Sequence, residues 1–328
     1  MISESRVMST TNSESAANKL PRPARISGWK RRVMLLTVPY LGGLLMLAGI
    51  QRSLIYHPYP AKALPAQVAA LSPGRVHDVV TKTEDDLELR GWLVLRPGRS
   101  AKSADELKEK LAEGRPLTLY FGGNAANRSY RLLEIETLGE AGSDVLIFDY
   151  RGYGDSQGEP TEEGLARDSR AVWKFATDTL KIEPTRIVLY GESLGGGVAT
   201  RLAQEWCQKQ TPPAGLILRS TFNSLTVAAS YHFSWIPVRW LLIDCFPSDE
   251  RIRDVTCPLL QFHGRRDTIV PLPLGQNLFA AAPDQSSNGQ PKRFVELLRA
   301  DHNDVIETSR REVTGELLEF FRAIQKEK

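Results

Sequence analysis

One stretch constrains the fold of this chain more than any other: Arg186-Ile187-Val188-Leu189-Tyr190-Gly191-Glu192-Ser193-Leu194-Gly195-Gly196-Gly197. An apolar, β-branched run stops at a glycine, and a small-residue helical run, Val198-Ala199-Thr200-Arg201-Leu202-Ala203, follows at once. Gly191, Ser193 and Gly195 fit G-x-S-x-G, the nucleophile elbow. A serine at the tip of so tight a strand-to-helix turn is held in a strained backbone conformation, with its hydroxyl pointing out of the fold. Side chains two residues to either side would collide with the neighbouring chain, hence the glycines. The helix that starts there aims free N–H groups at the same place. Five residues of this pattern also arise by chance, so the strand before and the helix after carry much of the weight.

The rest of the chain repeats the alternation. Strand-like runs fall at 76–83 and 87–95, as a hairpin around Glu84-Asp85-Asp86, and then at 117–121, 145–148, 215–218, 257–263 and 294–298. Helical patterns lie between them at 103–114, 130–138, 162–180, after Ser193 to about 210, and at 309–326. Strands alternating with helices predict an α/β fold, a mostly parallel sheet with helices on both faces and an antiparallel edge from the hairpin. In such sheets the site lies beyond the carboxyl ends of the strands.

A base and an acid are needed in those segments. Of five histidines, His57 is in a linker, His77 begins an edge strand, His232 is in a probable lid segment and His263 closes a strand, whereas His302 follows the last strand as Asp301-His302-Asn303-Asp304. Asp267 follows another strand in His263-Gly264-Arg265-Arg266-Asp267. The order Ser193, Asp267, His302 is that of a Ser…Asp…His triad. A free serine is almost never an alkoxide at neutral pH, and imidazole is a base near its working pH. A buried carboxylate fixes the tautomer and balances the imidazolium. Asp301 and Asp304 are alternative acids, but they lie too near His302 in sequence to reach its far nitrogen easily. An oxyanion hole needs two aimed backbone N–H groups. Leu194 and Asn124 are the expected donors, with Ala125 the near alternative to Asn124.

The 328 residues carry a formal charge of +3, with no basic stripe of interleaved aromatics that would suit nucleic acid. No cofactor or metal enters the reading. Much of the positive excess sits in the N-terminal tail (1–32), which is Ser/Thr/Asn-rich, is expected to be disordered, and ends in Arg22, Arg25, Lys30, Arg31 and Arg32. Residues 33–50 carry no charge and just suffice to cross a bilayer, ahead of a Pro/Ala-rich linker at 51–75. The basic flank predicts a signal anchor with a cytoplasmic N-terminus and an extracytoplasmic main domain at 76–328, and with Trp29, Tyr56 and Tyr59 at the interfaces. A cleaved signal peptide and a buried core helix are the competing readings. Cys207, Cys245 and Cys257 make no disulfide scaffold and are expected to be three buried free thiols, with a Cys245–Cys257 pair outside the cytoplasm as the alternative.

The chain resembles membrane-anchored α/β-hydrolase-domain proteins with an N-terminal single pass and a short lid. The markers are Tyr56-His57-Pro58, Gly123-Asn124-Ala125, Asp149-Tyr150-Arg151-Gly152-Tyr153-Gly154-Asp155-Ser156-Gln157-Gly158, the elbow, His263-Gly264-Arg265-Arg266-Asp267-Thr268-Ile269-Val270-Pro271, and Asp301-His302-Asn303-Asp304. The resemblance covers about 52 to the C-terminus. It implies an α/β-hydrolase fold and an acyl-thioester hydrolase, a lysophospholipid lipase or another esterase. Gly122 departs from it, standing where relatives carry a histidine that bears on the oxyanion loop.

Together these features predict a metal-independent serine hydrolase of carboxylic esters or thioesters, using Ser193, His302 and Asp267. The lid is expected at about 222–250, with Tyr231, Phe233, Trp235 and Trp240 as substrate-binding candidates. A prolyl-aminopeptidase-like peptidase is the first alternative, and a non-catalytic anchored binding protein on the same fold is the second.

Overall fold

The structure is a computed structural model that describes residues 28–325. The tail before Gly28 and the last three residues lie outside the described residues. The chain forms two compact units, divided between Leu45 and Met46. The first contains most of a long helix, Gly28–Ile55, which tolerates Pro39 and exposes its apolar side chains. It is long and apolar enough to cross a membrane, and its exposure excludes the buried-core-helix alternative. The last turns of this helix, from Met46, belong to the second unit.

That unit is built on eight strands: β1 (Val76–Lys82), β2 (Glu88–Val94), β3 (Leu117–Phe121), β4 (Asp144–Phe148), β5 (Ile187–Glu192), β6 (Gly215–Arg219), β7 (Leu259–Gly264) and β8 (Arg293–Leu297). They form one sheet in the order β1-β2-β4-β3-β5-β6-β7-β8. β1 and β2 pair antiparallel, as the hairpin predicted, and β2 joins β4 antiparallel. The other pairings are parallel. Alternation along β5 shows why both faces are covered. Leu189 packs with Leu165, Trp173, Val198 and Leu202, whereas Val188 and Tyr190 pack with Ile135, Leu138, Val313 and Leu317. Helices Glu162–Lys174 and Leu194–Gln208 thus lie on one face, and Leu132–Glu140 and Val305–Gln325 on the other.

Two differences from the sequence reading matter. The helix expected over 162–180 ends its α portion at Lys174 and continues as a π turn, Phe175–Thr179. The segment read as a linker is tied into the fold: His57–Pro58 pairs with Ala125–Ala126, Tyr56 is buried, and the Tyr56 hydroxyl donates to Asp244 at 3.0 Å. Tyr56 therefore cannot sit at a bilayer interface. The three cysteines are free thiols, the reading the sequence favoured over a Cys245–Cys257 pair, with Cys245 half-buried and the other two buried. The neighbour of Cys257 is Cys207, whose sulfur accepts the Thr256 N–H at 3.3 Å.

Candidate active site

Ser193 begins the turn from β5 into Leu194–Gln208, with φ 51° and ψ −116°. This is left-handed backbone that a side-chain-bearing residue adopts under constraint. The flanking glycines are obligatory. A Cβ at Gly191 would lie 2.6 Å from the Gly195 carbonyl oxygen, and one at Gly195 would lie 2.1 Å from the Phe121 carbonyl oxygen. Hydrogen bonds hold the turn from β6. The Ser193 N–H donates to the Arg219 carbonyl at 2.9 Å, and the Thr221 hydroxyl donates to the Ser193 carbonyl at 2.7 Å.

The loops after β7 and β8 bring the expected partners to this serine. His302 Nε2 is 3.0 Å from Ser193 Oγ, and Nδ1 is 2.8 Å from Asp267 Oδ2. In the neutral imidazole this arrangement has Nδ1–H donating to the carboxylate and Nε2 accepting from the hydroxyl. All three residues are buried. The other Asp267 oxygen accepts the N–H groups of Ile269 (3.0 Å) and Val270 (2.7 Å), so the acid is fixed by its own turn. His263 supports that turn: its Nε2 bonds the Val270 carbonyl at 2.8 Å, and burial pushes its imidazole pKa down. Asp301 does not compete for the ring. Its carboxylate accepts the backbone N–H groups of His302 and Thr268, which hold its pKa below the usual carboxylate range.

A charged platform under the elbow had no motif to announce it. Glu192 and Arg219, the last residues of β5 and β6, are register partners across the sheet. Arg219 Nη2 lies 2.9 Å from Glu192 and 3.1 Å from Glu134, and its Nη1 donates to the His302 carbonyl at 3.1 Å. Glu192 also accepts from the Tyr120 hydroxyl and meets Arg131 at 3.3 Å. Burial alone would raise the Glu192 carboxyl, but Arg219 and Arg131 outweigh it and hold the pKa down to about 2. Arg219 thus touches both the turn at Ser193 and the loop that carries His302. The sequence signal was an acid and a base ending adjacent apolar strands.

The loop after β3 is held without a histidine at Gly122. The Tyr150 hydroxyl donates to the Gly122 carbonyl at 3.0 Å, and the Tyr153 hydroxyl and the His57 N–H both donate to the Asn124 carbonyl at 2.8 Å. The Asn124 amide donates to the Ile55 carbonyl at 2.9 Å. Two markers of the resemblance, Tyr56-His57-Pro58 and the stretch from Asp149, therefore converge on fixing this peptide.

Asn124, Ser193 and Leu194 border a cavity of about 530 Å³, well within the roughly 300–1,000 Å³ of small-molecule sites. One wall is the end of the long helix, with Leu47, Ala48 and Ile55, and the other is the lid between β6 and β7, with Leu225, Phe233 and Leu241. No Asp or Glu lines it among the described residues. Of the four substrate-binding candidates, Phe233 lines the cavity. Tyr231, Trp235 and Trp240 do not; they stand outward, 62%, 67% and 83% exposed. The helix wall was missed because nothing in an apolar run distinguishes residues that face lipid from residues that face a pocket. Gln51 joins the two walls: its Nε2 donates to the Leu241 carbonyl at 3.2 Å, and its Oε1 accepts the Ile243 N–H at 2.7 Å.

The family described as serine aminopeptidase S33 matches residues 122–248. The uncharacterised protein Rv2307c of Mycobacterium tuberculosis is 40% identical over 263 residues, covering 80% of this chain and 84% of that protein. Lysophosphatidylserine lipase ABHD12 of Danio rerio is 32% identical over 239 residues, covering 67% of this chain and 62% of the lipase, so the chain spans about three fifths of that relative. The esterase Pf2001 of Pyrococcus furiosus superposes with a TM-score of 0.59 at 20% identity, over 82% of this chain and 98% of the esterase, a likeness of fold.

Proposed function

The chain belongs to the α/β-hydrolase superfamily and is a serine hydrolase of the esterase and lipase kind, and from that premise we propose that it cleaves a carboxylic ester or thioester bearing one long acyl chain. The observation that carries this is the hydrogen-bonded line from Asp267 through His302 to Ser193, ending at the wall of an apolar cavity. Ser193 Oγ attacks the carbonyl carbon while His302 Nε2 takes its proton. The tetrahedral oxyanion is held by the N–H groups of Leu194 and Asn124. His302 returns the proton to the leaving oxygen or sulfur, and water resolves the acyl-enzyme by the same steps.

The aminopeptidase alternative has the family description behind it, but a substrate ammonium needs a counter-charge, and the cavity lining supplies no carboxylate among the described residues. The likeness to a lysophosphatidylserine lipase supports a monoacyl lipid ester. Gly28–Ile55 is read as a bilayer-spanning anchor, and the basic cluster before it supports a cytoplasmic N-terminus with the hydrolase on the far side.

The test is labelling of the detergent-solubilised full chain with a fluorophosphonate, with the adduct located by mass spectrometry. The expected result is an adduct on Ser193 that disappears in His302→Ala. Hydrolysis across an acyl series should then favour long chains. No adduct in the folded chain would overturn the hydrolase reading, and hydrolysis of amino-acyl amides in preference to acyl esters would replace it with the peptidase.

A further inference from the structure

Three large aromatic side chains in the lid, Tyr231, Trp235 and Trp240, neither line the cavity nor pack into the core. Ile243 of the same segment is exposed too, as are Ile50 and Leu54 on the helix end to which Gln51 ties it. Single exposed apolar residues are ordinary, but several on one short segment mark a surface with a partner.

The occupant follows from three further facts. The charge-free run of the long helix ends at Ile50, and the next residue, Gln51, is the one hydrogen-bonded to Leu241 and Ile243 of the lid. The first charge after the run, Arg52, pairs at 3.2 Å with Asp244 of the lid. The lid is therefore fastened to the chain at the level where an apolar segment meets water. Its chemistry suits that level. Between Trp206 and Ile243 the sequence contains no Asp or Glu, and the lid carries the exposed Arg239. Trp and Tyr around a cationic side chain are what the headgroup region of a bilayer favours.

We propose that the outward face of the lid, formed by Tyr231, Trp235, Trp240 and Ile243, is a lipid-docking surface, a second membrane contact beyond the anchor helix. The cavity runs between this lid and Leu47, Ala48 and Leu54 of the helix end, so docking sets its walls in the leaflet. An acyl chain then enters sideways from the bilayer, without crossing water. This route of entry rests on the hydrolase reading; the docking of the face does not.

The experiment uses the full-length chain, one per phosphatidylcholine nanodisc, with Trp29→Phe to remove the tryptophan of the helix start. Discs made with bromine on the lipid chains are compared with unbrominated discs. The expected result is strong quenching of tryptophan emission that is mostly lost when Trp235→Phe and Trp240→Phe are added. Equal quenching with and without those two tryptophans would overturn the docking surface, as would its occupation by a second copy, read in vesicles holding many chains as cross-linking between chains carrying Trp240→Cys. For entry, Trp235→Ser with Trp240→Ser should slow hydrolysis of a bilayer-resident long-chain ester severalfold more than that of a water-soluble short-chain ester. Equal slowing would overturn entry from the leaflet. Quenching as expected in a chain whose Ser193 takes no fluorophosphonate would leave the docking surface standing and remove the hydrolase.

Discussion

The two sides of the cavity are built by different physics. On the sheet side, Ser193, Asp267, His302 and Asn124 sit at strand ends, and backbone or side-chain hydrogen bonds from neighbouring elements hold each of them. On the lid side, the walls are apolar side chains from two segments far apart in sequence, tied to each other through Gln51, Arg52 and Tyr56. On the proposed function, this separates the groups that do the chemistry from the walls that select the substrate. Preorganised polar groups cost free energy to hold and do so where charge develops. Apolar walls tolerate substitution and can be reshaped without disturbing the triad.

The largest effect should come from the sheet side. Asp267→Asn keeps the shape but presents an amide to His302 Nδ1, favouring the wrong tautomer. We expect kcat on a short-chain ester to fall about 10⁴-fold with little change in melting temperature. A fall of less than about tenfold would mean that the orienting role of this acid is dispensable and that the contrast between the two walls is overstated.

This contrast also explains what the sequence disclosed. That Ser193, Asp267 and His302 come together was legible because each residue type stands after its own strand in the order a triad requires, and because glycines at 191 and 195 are sterically forced. The mostly parallel sheet and its antiparallel edge followed from alternation and from the hairpin, whereas the exchange of β3 and β4 in the strand order did not. Arg219 and Glu192 were not legible as a pair, since register between strands separated by a whole helix is not written in either strand. The helix wall was hidden for another reason: Leu47 and Ala48 look the same whether they face lipid or a pocket. The aromatics of the lid misled in the opposite sense. Their hydrophobicity predicted an apolar neighbour but could not choose between the pocket inside and a surface outside, and Phe233 alone of the four was turned inward.

The next effect tests how the sheet side is held. Arg219→Met leaves the buried Glu192 and Glu134 short of their shared cation and frees the His302 carbonyl. Breaking a buried pair from one side costs about 3–5 kcal/mol, measurable by denaturant unfolding. Adding Glu192→Leu removes one stranded charge and should restore part of that stability without restoring kcat, because the tie between the two catalytic loops stays cut. Full recovery of both would reduce Arg219 to a structural ion pair. Loss of both in equal measure from either single substitution would make the platform one indivisible unit.

The smallest effect belongs to the lid side. Gln51→Ala removes the donor to Leu241 and the acceptor for Ile243, at a cost of about 1–2 kcal/mol. Because Asp244, Phe246 and Arg251 keep their ties to Tyr56, Arg52 and Glu162, the loss should appear as local opening, with faster hydrogen exchange at the Ile243 amide and an unchanged global unfolding midpoint. The kcat/KM for long acyl chains should fall more than that for short ones, since a long chain uses the full length of both walls and a short one stays near Ser193. An equal fall for both lengths would mean that the lid positions the catalytic groups as well as the chain. The two sides of the cavity would then be a single cooperative structure.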